Sequence, residues 1–158
     1  MESSSLSIAI EPPYSADARA CLGAYVAELA ERFEAAFDPN QSKWAPDDAA
    51  ISPPSGCFLV ARLDGRPVGC GALRTLGPGV GEIKRMWVHR ETRGRGVAWR
   101  MLEALEAHAR GLGMTRVRLD TNRALTQAQA MYLKAGYVEI ERFNDNPYAD
   151  FWYEKVLS

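Results

Sequence analysis

The chain of 158 residues is long enough to bury one hydrophobic core, and we expect a single domain over residues 1–158. Nineteen basic and twenty acidic residues leave a net charge of −1, which argues against nucleic acid as the main partner. No apolar stretch is long enough to span a bilayer, and no basic segment precedes an apolar run at the N-terminus. We therefore expect a cytoplasmic protein that does not contact a membrane.

The cysteines and histidines argue against a disulfide framework and against a metal site. Cys21, Cys57 and Cys70 are odd in number, lie among apolar residues and lack C-x-x-C spacing, which predicts buried, reduced thiols. His89 and His108 are the only histidines, and neither belongs to a cluster of cysteines or carboxylates. We expect no metal cofactor.

The first third of the chain predicts a strand, a helix and a long loop. Apolar residues at every second position from Leu6 to Ile10 predict the strand, which Pro12-Pro13 ends. The apolar face of the helix consists of Cys21, Leu22, Tyr25, Val26, Leu29 and Phe33. Its polar face consists of Arg19, Glu28, Glu31 and Glu34. The stretch from Asp38 to Ser55 holds four prolines and predicts a loop of the kind that covers a substrate.

The middle of the chain predicts a hairpin followed by a third strand. The apolar segments Cys57–Leu63 and Pro67–Leu76 are joined by Asp64-Gly65, a pair typical of hairpin turns. A turn at Gly77-Pro78-Gly79 leads into the apolar strand Glu82–Val88.

The last part of the chain alternates between helices and short strands. One helix begins near Val97 and ends at Gly111, and a second runs from Thr126, a suitable N-cap, to Ala135. The predicted strands are Arg116–Asp120, Val138–Ile140 and Phe151–Val156. The resulting order, β-α-β-β-β-α-β-α-β-β, places one parallel crossover in a mostly antiparallel sheet. We predict an α+β fold with helices on both faces of that sheet.

A basic, glycine-containing turn, Arg93-Gly94-Arg95-Gly96-Val97-Ala98, joins the strand Glu82–Val88 to the following helix. Free backbone N–H groups converge at a helix N-terminus, where the helix dipole adds positive potential. Glycine lets the backbone approach a phosphate closely because it has no Cβ. The turn therefore predicts a site for a phosphorylated ligand.

Two common phosphate-binding motifs do not fit this turn. A nucleotide P-loop ends in Gly-Lys-Ser/Thr, whereas Gly96 is followed by Val97-Ala98. A dinucleotide fingerprint needs a third glycine where the chain has Trp99, and it belongs to a first βαβ unit rather than to a position after antiparallel strands.

The residues Arg93-x-x-Gly96-x-Ala98 match the pattern Q/R-x-x-G-x-G/A, and the helical segment Ala130–Tyr137 follows at the expected distance. In these motifs and in nearly its whole order of elements, the chain resembles the GNAT superfamily of acyl-CoA-dependent N-acetyltransferases. The resemblance implies a GNAT-like fold and one N-acetyltransferase domain over residues 1–158. It also implies acetyl-CoA as the acyl donor.

The resemblance implies a set of coenzyme-binding residues. The backbone N–H groups of the turn would hold the pyrophosphate of coenzyme A; they belong to Gly94, Arg95, Gly96, Val97, Ala98 and Trp99. The side chains of Arg93 and Arg95 would add charge, unless Arg95 is merely solvated. The pantetheine arm would pair with the backbone of Met86 and Val88, and an N–H near Val88 would stabilise the thioester oxyanion. Asn122 would bond the pantetheine amides, or would simply form a turn.

The resemblance also implies two catalytic residues. Tyr132 would donate a proton to the departing thiolate, with a purely structural place in the core as the alternative. Glu82, eleven residues before Arg93, would act as the general base that deprotonates the amine. Glu82 would otherwise bind a cationic substrate or pair with Lys84 or an arginine.

Together these residues predict transfer of the acetyl group of acetyl-CoA to a primary amine by direct attack. The amine would approach beneath the loops Asp38–Ser55 and Asn144–Tyr148, and its identity stays open. A coenzyme A sensor without activity and a dinucleotide-dependent oxidoreductase are the alternatives. A homodimer is compatible with a fold of this type.

Overall fold

The structure is a computed structural model that describes residues 5–32, 48–123 and 125–157. The predicted loop Asp38–Ser55 is therefore described from residue 48 onward, and Phe33 and Glu34 of the first predicted helix lie outside the described residues. No helix in the described ranges is long and apolar enough to cross a membrane.

The described chain forms seven strands and three α-helices. The helices are α1 (Ala16–Arg32), α2 (Val97–Gly111) and α3 (Thr126–Lys134). The strands are β1 (Leu6–Ile10), β2 (Gly56–Leu63), β3 (Arg66–Gly77), β4 (Val80–Val88), β5 (Arg116–Thr121), β6 (Val138–Ile140) and β7 (Phe151–Val156). Every predicted strand and helix is confirmed. The N-cap prediction is wrong: Leu125 precedes α3 without a capping side chain, and Thr126 is already helical.

All seven strands lie in one sheet with the order β1-β2-β3-β4-β5-β7-β6. Neighbouring strands run antiparallel, except that β4 and β5 are parallel. This arrangement confirms the predicted α+β fold with one parallel crossover, which α2 provides between β4 and β5.

The parallel strands β4 and β5 pair over a short segment and then separate. Their register runs from Val80 to Glu82 and from Arg116 to Arg118, although β4 continues to Val88. The antiparallel register between β3 and β4 shifts near Arg85, a non-glycine residue with a φ of 57°. A bulge of this kind bends the strand locally. The carboxyl-terminal half of β4 is thereby directed away from β5.

Hydrophobic side chains cover both faces of the sheet. On one face, α2 packs its buried residues Leu102, Leu105 and Ala109 against the central strands. On the other face, α1 packs Ala18, Cys21 and Leu22 against β2, β3 and β4. The amphipathic patterns of the two helices account for these layers. As predicted, all three cysteines are buried and none forms a disulfide.

Candidate active site

A cavity of about 480 Å³ lies beside the carboxyl-terminal half of β4. Its wall comes from four parts of the chain: α1, the end of β4, the turn into α2, and α3. Nine of the predicted site residues line it: Met86, Val88, Arg93, Gly94, Gly96, Val97, Ala98, Trp99 and Tyr132. Three others, Glu82, Arg95 and Asn122, are not part of the wall.

The turn before α2 presents open backbone donors to the cavity. Gly94 and Gly96 have φ values of 84° and 78°, in the left-handed region that favours glycine. Gly96 is the N-cap of α2 and supplies no side-chain hydrogen bond, and the first turn of the helix holds no acidic residue. The first N–H groups of a helix lack intrahelical partners, so they are available to an anion in the cavity.

The two arginines of the turn have different surroundings. The Arg93 guanidinium points back into the protein: its Nε donates to the Val88 carbonyl at 3.0 Å, and its Nη2 lies 2.5 and 2.7 Å from the carboxylate oxygens of Glu28. Arg95 is exposed to solvent. The predicted phosphate contact of Arg93 therefore competes with an ion pair that the sequence did not reveal.

The end of β4 carries backbone groups at the place where the sheet opens. Met86 and Val88 both contribute to the cavity wall, as the predicted pairing with an extended ligand arm requires. The carbonyl of Val88 already accepts the hydrogen bond from Arg93. The N–H of the next residue, His89, donates to the carbonyl of Val68 at 2.6 Å, so a backbone donor for an incoming carbonyl would have to come from β4 itself.

Tyr132 lies in α3 with 5% of its surface exposed and lines the cavity. Its ring packs against Tyr137 with a centroid distance of 5.8 Å, so the predicted alternative, a place in the core, also describes part of its surroundings. Burial and the nearby Asp120 carboxylate raise the pKa of the Tyr132 phenol well above its usual value. The phenol stays protonated at neutral pH and can act as a proton donor.

Glu82 is completely buried within a cluster of charged and polar side chains. Its Oε1 lies 2.6 Å from Arg74 Nε, and its Oε2 lies 3.7 Å from Lys84 Nζ. Asn144 donates to the same Oε2 at 3.2 Å. These contacts match the alternative that Glu82 pairs with Lys84 and an arginine. Glu82 is also not part of the cavity wall, where a base that acts directly on a bound amine would lie.

Asp120, at the end of β5, extends this cluster toward the loop that joins β6 and β7. It accepts hydrogen bonds from Asn144 at 2.6 Å and Asn146 at 3.0 Å, and it lies 3.5 Å from Lys84 Nζ. Asn144 in turn accepts a hydrogen bond from Trp152 Nε1 at 2.9 Å. The loop predicted to face the acceptor is thus attached to the sheet by partly buried polar contacts.

Asn122 follows β5 and takes part in the same attachment. Its side-chain amide nitrogen donates to the backbone carbonyl of Tyr148 at 2.6 Å. Its backbone carbonyl accepts from the side-chain amide of Gln129 at 2.9 Å. This places Asn122 between the loop and α3 rather than on the cavity wall. The turn-forming alternative describes its position better than the predicted bond to pantetheine does.

Comparison with known proteins identifies the family. A family model described as the Acetyltransferase (GNAT) family matches residues 22–137. The chain belongs to this family. The matched segment contains every residue of the cavity wall, from Tyr25 to Lys134. Membership supports acyltransferase activity.

Individual relatives agree with the GNAT assignment. The chain is 36% identical over 114 residues to an IAA acetyltransferase of Azospirillum brasilense, covering 71% of this chain and 74% of the relative. Two solved structures share the GNAT fold. A GNAT acetyltransferase of Staphylococcus aureus Mu50 has a TM-score of 0.82 and 19% identity, covering 98% of this chain and 100% of its own. One from Elizabethkingia anophelis, with acetyl-CoA bound, has a TM-score of 0.67 and 15% identity, covering 96% and 98%.

Several residues that shape the candidate site were not among those predicted. Glu28 was placed on the polar face of α1, yet its side chain is only 11% exposed and lines the cavity. Asp120 and Asn144 were not assigned to a polar cluster at all. Asp120 could have been found from its position as a carboxylate at the end of a strand beside a cleft. Glu28 could not, because its position depends on Arg93, a partner far along the chain.

Among the described residues, no group of three His, Cys, Asp or Glu side chains is placed to hold a metal ion. The absence of a metal cofactor stays a prediction, as do the homodimer and the cytoplasmic location.

Proposed function

We propose that this GNAT protein transfers the acetyl group of acetyl-CoA to a primary amine by direct attack on the thioester. The observation that carries the proposal is the cavity itself. It joins an uncapped helix N-terminus, suited to a pyrophosphate, to the open end of β4 and to the buried phenol of Tyr132. The presence of acetyl-CoA in the Elizabethkingia anophelis structure supports the choice of donor.

The residues of the cavity fit coenzyme A in chemistry and in order. The backbone N–H groups from Gly94 to Trp99 would bind the pyrophosphate, because the first turn of α2 brings no competing carboxylate. The edge of β4 at Met86 and Val88 would bind the pantetheine amides. An N–H near Val88 would donate to the thioester oxygen as negative charge develops there. Acetyl-CoA supplies the activated acetyl group.

Tyr132 is the proposed general acid. The sulfur of the departing thiol needs a proton, and the protonated phenol on the cavity wall provides one without an intervening residue. The sequence predicted Glu82 as the general base. Its complete burial and its contacts with Arg74 and Lys84 favour a structural role instead.

The experiment compares Tyr132→Phe with Tyr137→Phe as a matched control. The two tyrosines are buried neighbours, but Tyr137 donates its hydroxyl to Glu106 at 2.8 Å and does not line the cavity. With acetyl-CoA and a panel of primary amines, we expect Y132F to retain coenzyme A binding and to lose about a hundredfold or more in kcat. Y137F should keep its turnover and lose about 1–2 kcal/mol of stability.

Three results would contradict parts of this proposal. Equal loss of coenzyme A affinity and turnover in Y132F would remove its role as the acid. Coenzyme A binding without release of free thiol on any amine would favour the non-catalytic sensor. A rise in melting temperature with NAD but not with coenzyme A would favour the oxidoreductase.

A further inference from the structure

We propose that Glu28 is a positioning residue for the acetyl-CoA site, because it holds Arg93 in place and so fixes the turn that binds the pyrophosphate. The proposal rests on the function proposed above and assigns Arg93 a different task from the predicted one. The guanidinium would hold the turn in position through Glu28 and Val88, and the backbone N–H groups of the turn would bind the phosphates.

The contacts of Glu28 connect three elements. One carboxylate oxygen accepts hydrogen bonds from Arg93 Nη2 at 2.5 Å and from Trp87 Nε1 at 3.2 Å, and the other lies 2.7 Å from the same Nη2. Charge-assisted contacts of this length are among the stronger hydrogen bonds in proteins. They attach α1 both to β4 and to the turn that precedes α2.

Arg93 transmits this attachment to the turn. Its Nε donates to the carbonyl of Val88 at 3.0 Å, so the side chain spans the connection between the end of β4 and the phosphate-binding glycines. This hydrogen bond links Arg93 back to the end of β4 and so restricts the position of the next residue, Gly94, relative to that strand. Losing Glu28 would release one end of this brace while leaving the sequence of the turn intact.

Burial makes the pair effective. The side chains of Glu28 and Arg93 are 11% and 23% exposed, so water screens their attraction much less than at an open surface. A second pair, Glu31 with Arg90 at 3.0 Å, joins the same helix to the same connection, but its side chains are 66% and 64% exposed. An exposed pair contributes little. The exposed pair of Glu31 and Arg90 therefore serves as a control for the pair of Glu28 and Arg93.

Simple electrostatics and the proposed role predict opposite signs. Glu28 is an anion on the wall of a cavity that would hold an anionic ligand, so neutralising it should strengthen binding if charge alone mattered. If Glu28 positions the turn through Arg93, neutralising it should weaken binding. The sign of the effect decides between the two.

The experiment measures the dissociation constant of coenzyme A by calorimetry, and KM and kcat with acetyl-CoA, for Glu28→Gln and Glu31→Gln. We expect E28Q to raise the dissociation constant and the KM for acetyl-CoA about tenfold, with a much smaller change in kcat. E31Q should bind as the unchanged protein does, and Glu28→Asp should restore part of the affinity because it keeps the carboxylate.

A double-mutant cycle with Arg93→Gln tests the connection itself. If Glu28 acts through Arg93, E28Q should have little further effect in the R93Q background. Arg93→Lys gives the same information if E28Q folds poorly. Lysine keeps the positive charge, but its single ammonium group cannot contact the Val88 carbonyl and the Glu28 carboxylate at the same time. We expect R93K to lose as much affinity for coenzyme A as E28Q does. If Arg93 only contacted the phosphates directly, lysine would substitute for it with little loss of affinity.

The proposal is overturned if E28Q binds coenzyme A as tightly as, or more tightly than, the unchanged protein, or if R93K retains full affinity. These outcomes differ from a failure of the proposed function, in which the unchanged protein itself would bind no coenzyme A.

Discussion

Gly96→Ala separates the phosphate-binding role of the turn from its role in folding. Gly96 has a φ of 78° as the N-cap of α2, and an added Cβ would meet no other atom within 4 Å. The free protein would therefore suffer only backbone strain, about 1–2 kcal/mol for a residue with a Cβ in the left-handed region. For a chain of this size that lowers the melting temperature by roughly 5 °C.

The open space beside Gly96 is the space proposed for the pyrophosphate. A methyl group placed there would prevent the close approach of backbone and phosphate on which the site depends. We therefore expect G96A to weaken coenzyme A binding at least about tenfold, or about 1.4 kcal/mol, in addition to its effect on stability. Calorimetry with coenzyme A measures the affinity, and thermal unfolding of the ligand-free protein measures the strain.

Gly113→Ala is the matched control. Gly113 also has a positive φ, 82°, and also offers open space to a Cβ, but it follows the other end of α2. G113A should lower the melting temperature by a similar amount and leave coenzyme A affinity unchanged. Equal affinities of G96A and G113A for coenzyme A would refute the assignment of the turn as the pyrophosphate site.

Three further predictions concern the polar cluster and the core. Glu82→Gln should cost about 3 kcal/mol of stability, because Arg74 and Lys84 lose a buried partner; an unchanged melting temperature with a large loss of kcat would instead indicate a general base. Asn144→Ala should raise the KM for the amine but not that for acetyl-CoA in steady-state assays, since Asn144 attaches the acceptor-side loop; the reverse pattern would contradict this. Burial raises the pKa of the Cys57 thiol from 9.0 to about 11. The unfolded chain therefore loses the thiol proton at a lower pH than the folded protein does, so the free energy of unfolding should fall by about 3 kcal/mol between these two pH values. Urea unfolding should show a flatter pH dependence for Cys57→Ala, and an unchanged slope would exclude the thiol as a cause.

The order and type of the elements were predictable because they depend on local patterns. Val138–Ile140 and Phe151–Val156 form strands with the predicted bounds, and the hairpin turns at Asp64-Gly65 as expected. Apolar periodicity and glycines act over a few residues, so they survive in the folded protein. The motif at Arg93–Ala98 was recognisable for the same reason: its glycines and the following helix are neighbours in the chain.

The roles of charged side chains were less predictable. The sequence suggested Arg93 as a phosphate ligand and Glu82 as a base, and both are held by other protein groups in the structure. Charge type and position along the chain show that a carboxylate or guanidinium is present. They do not show which opposite charge will lie beside it after folding.

The sequence by itself determined that a glycine turn would lead into the N-terminus of a helix, because that geometry arises from consecutive residues, and it predicted an anion site there. The tertiary structure decided what surrounds the turn. Glu28 lies 65 residues before Arg93, and its place in α1 looked solvent-facing until the packing of that helix on β4 brought the two charges together. Burial of a carboxylate is tolerated there because the guanidinium neutralises it, and that balance exists only in the folded chain.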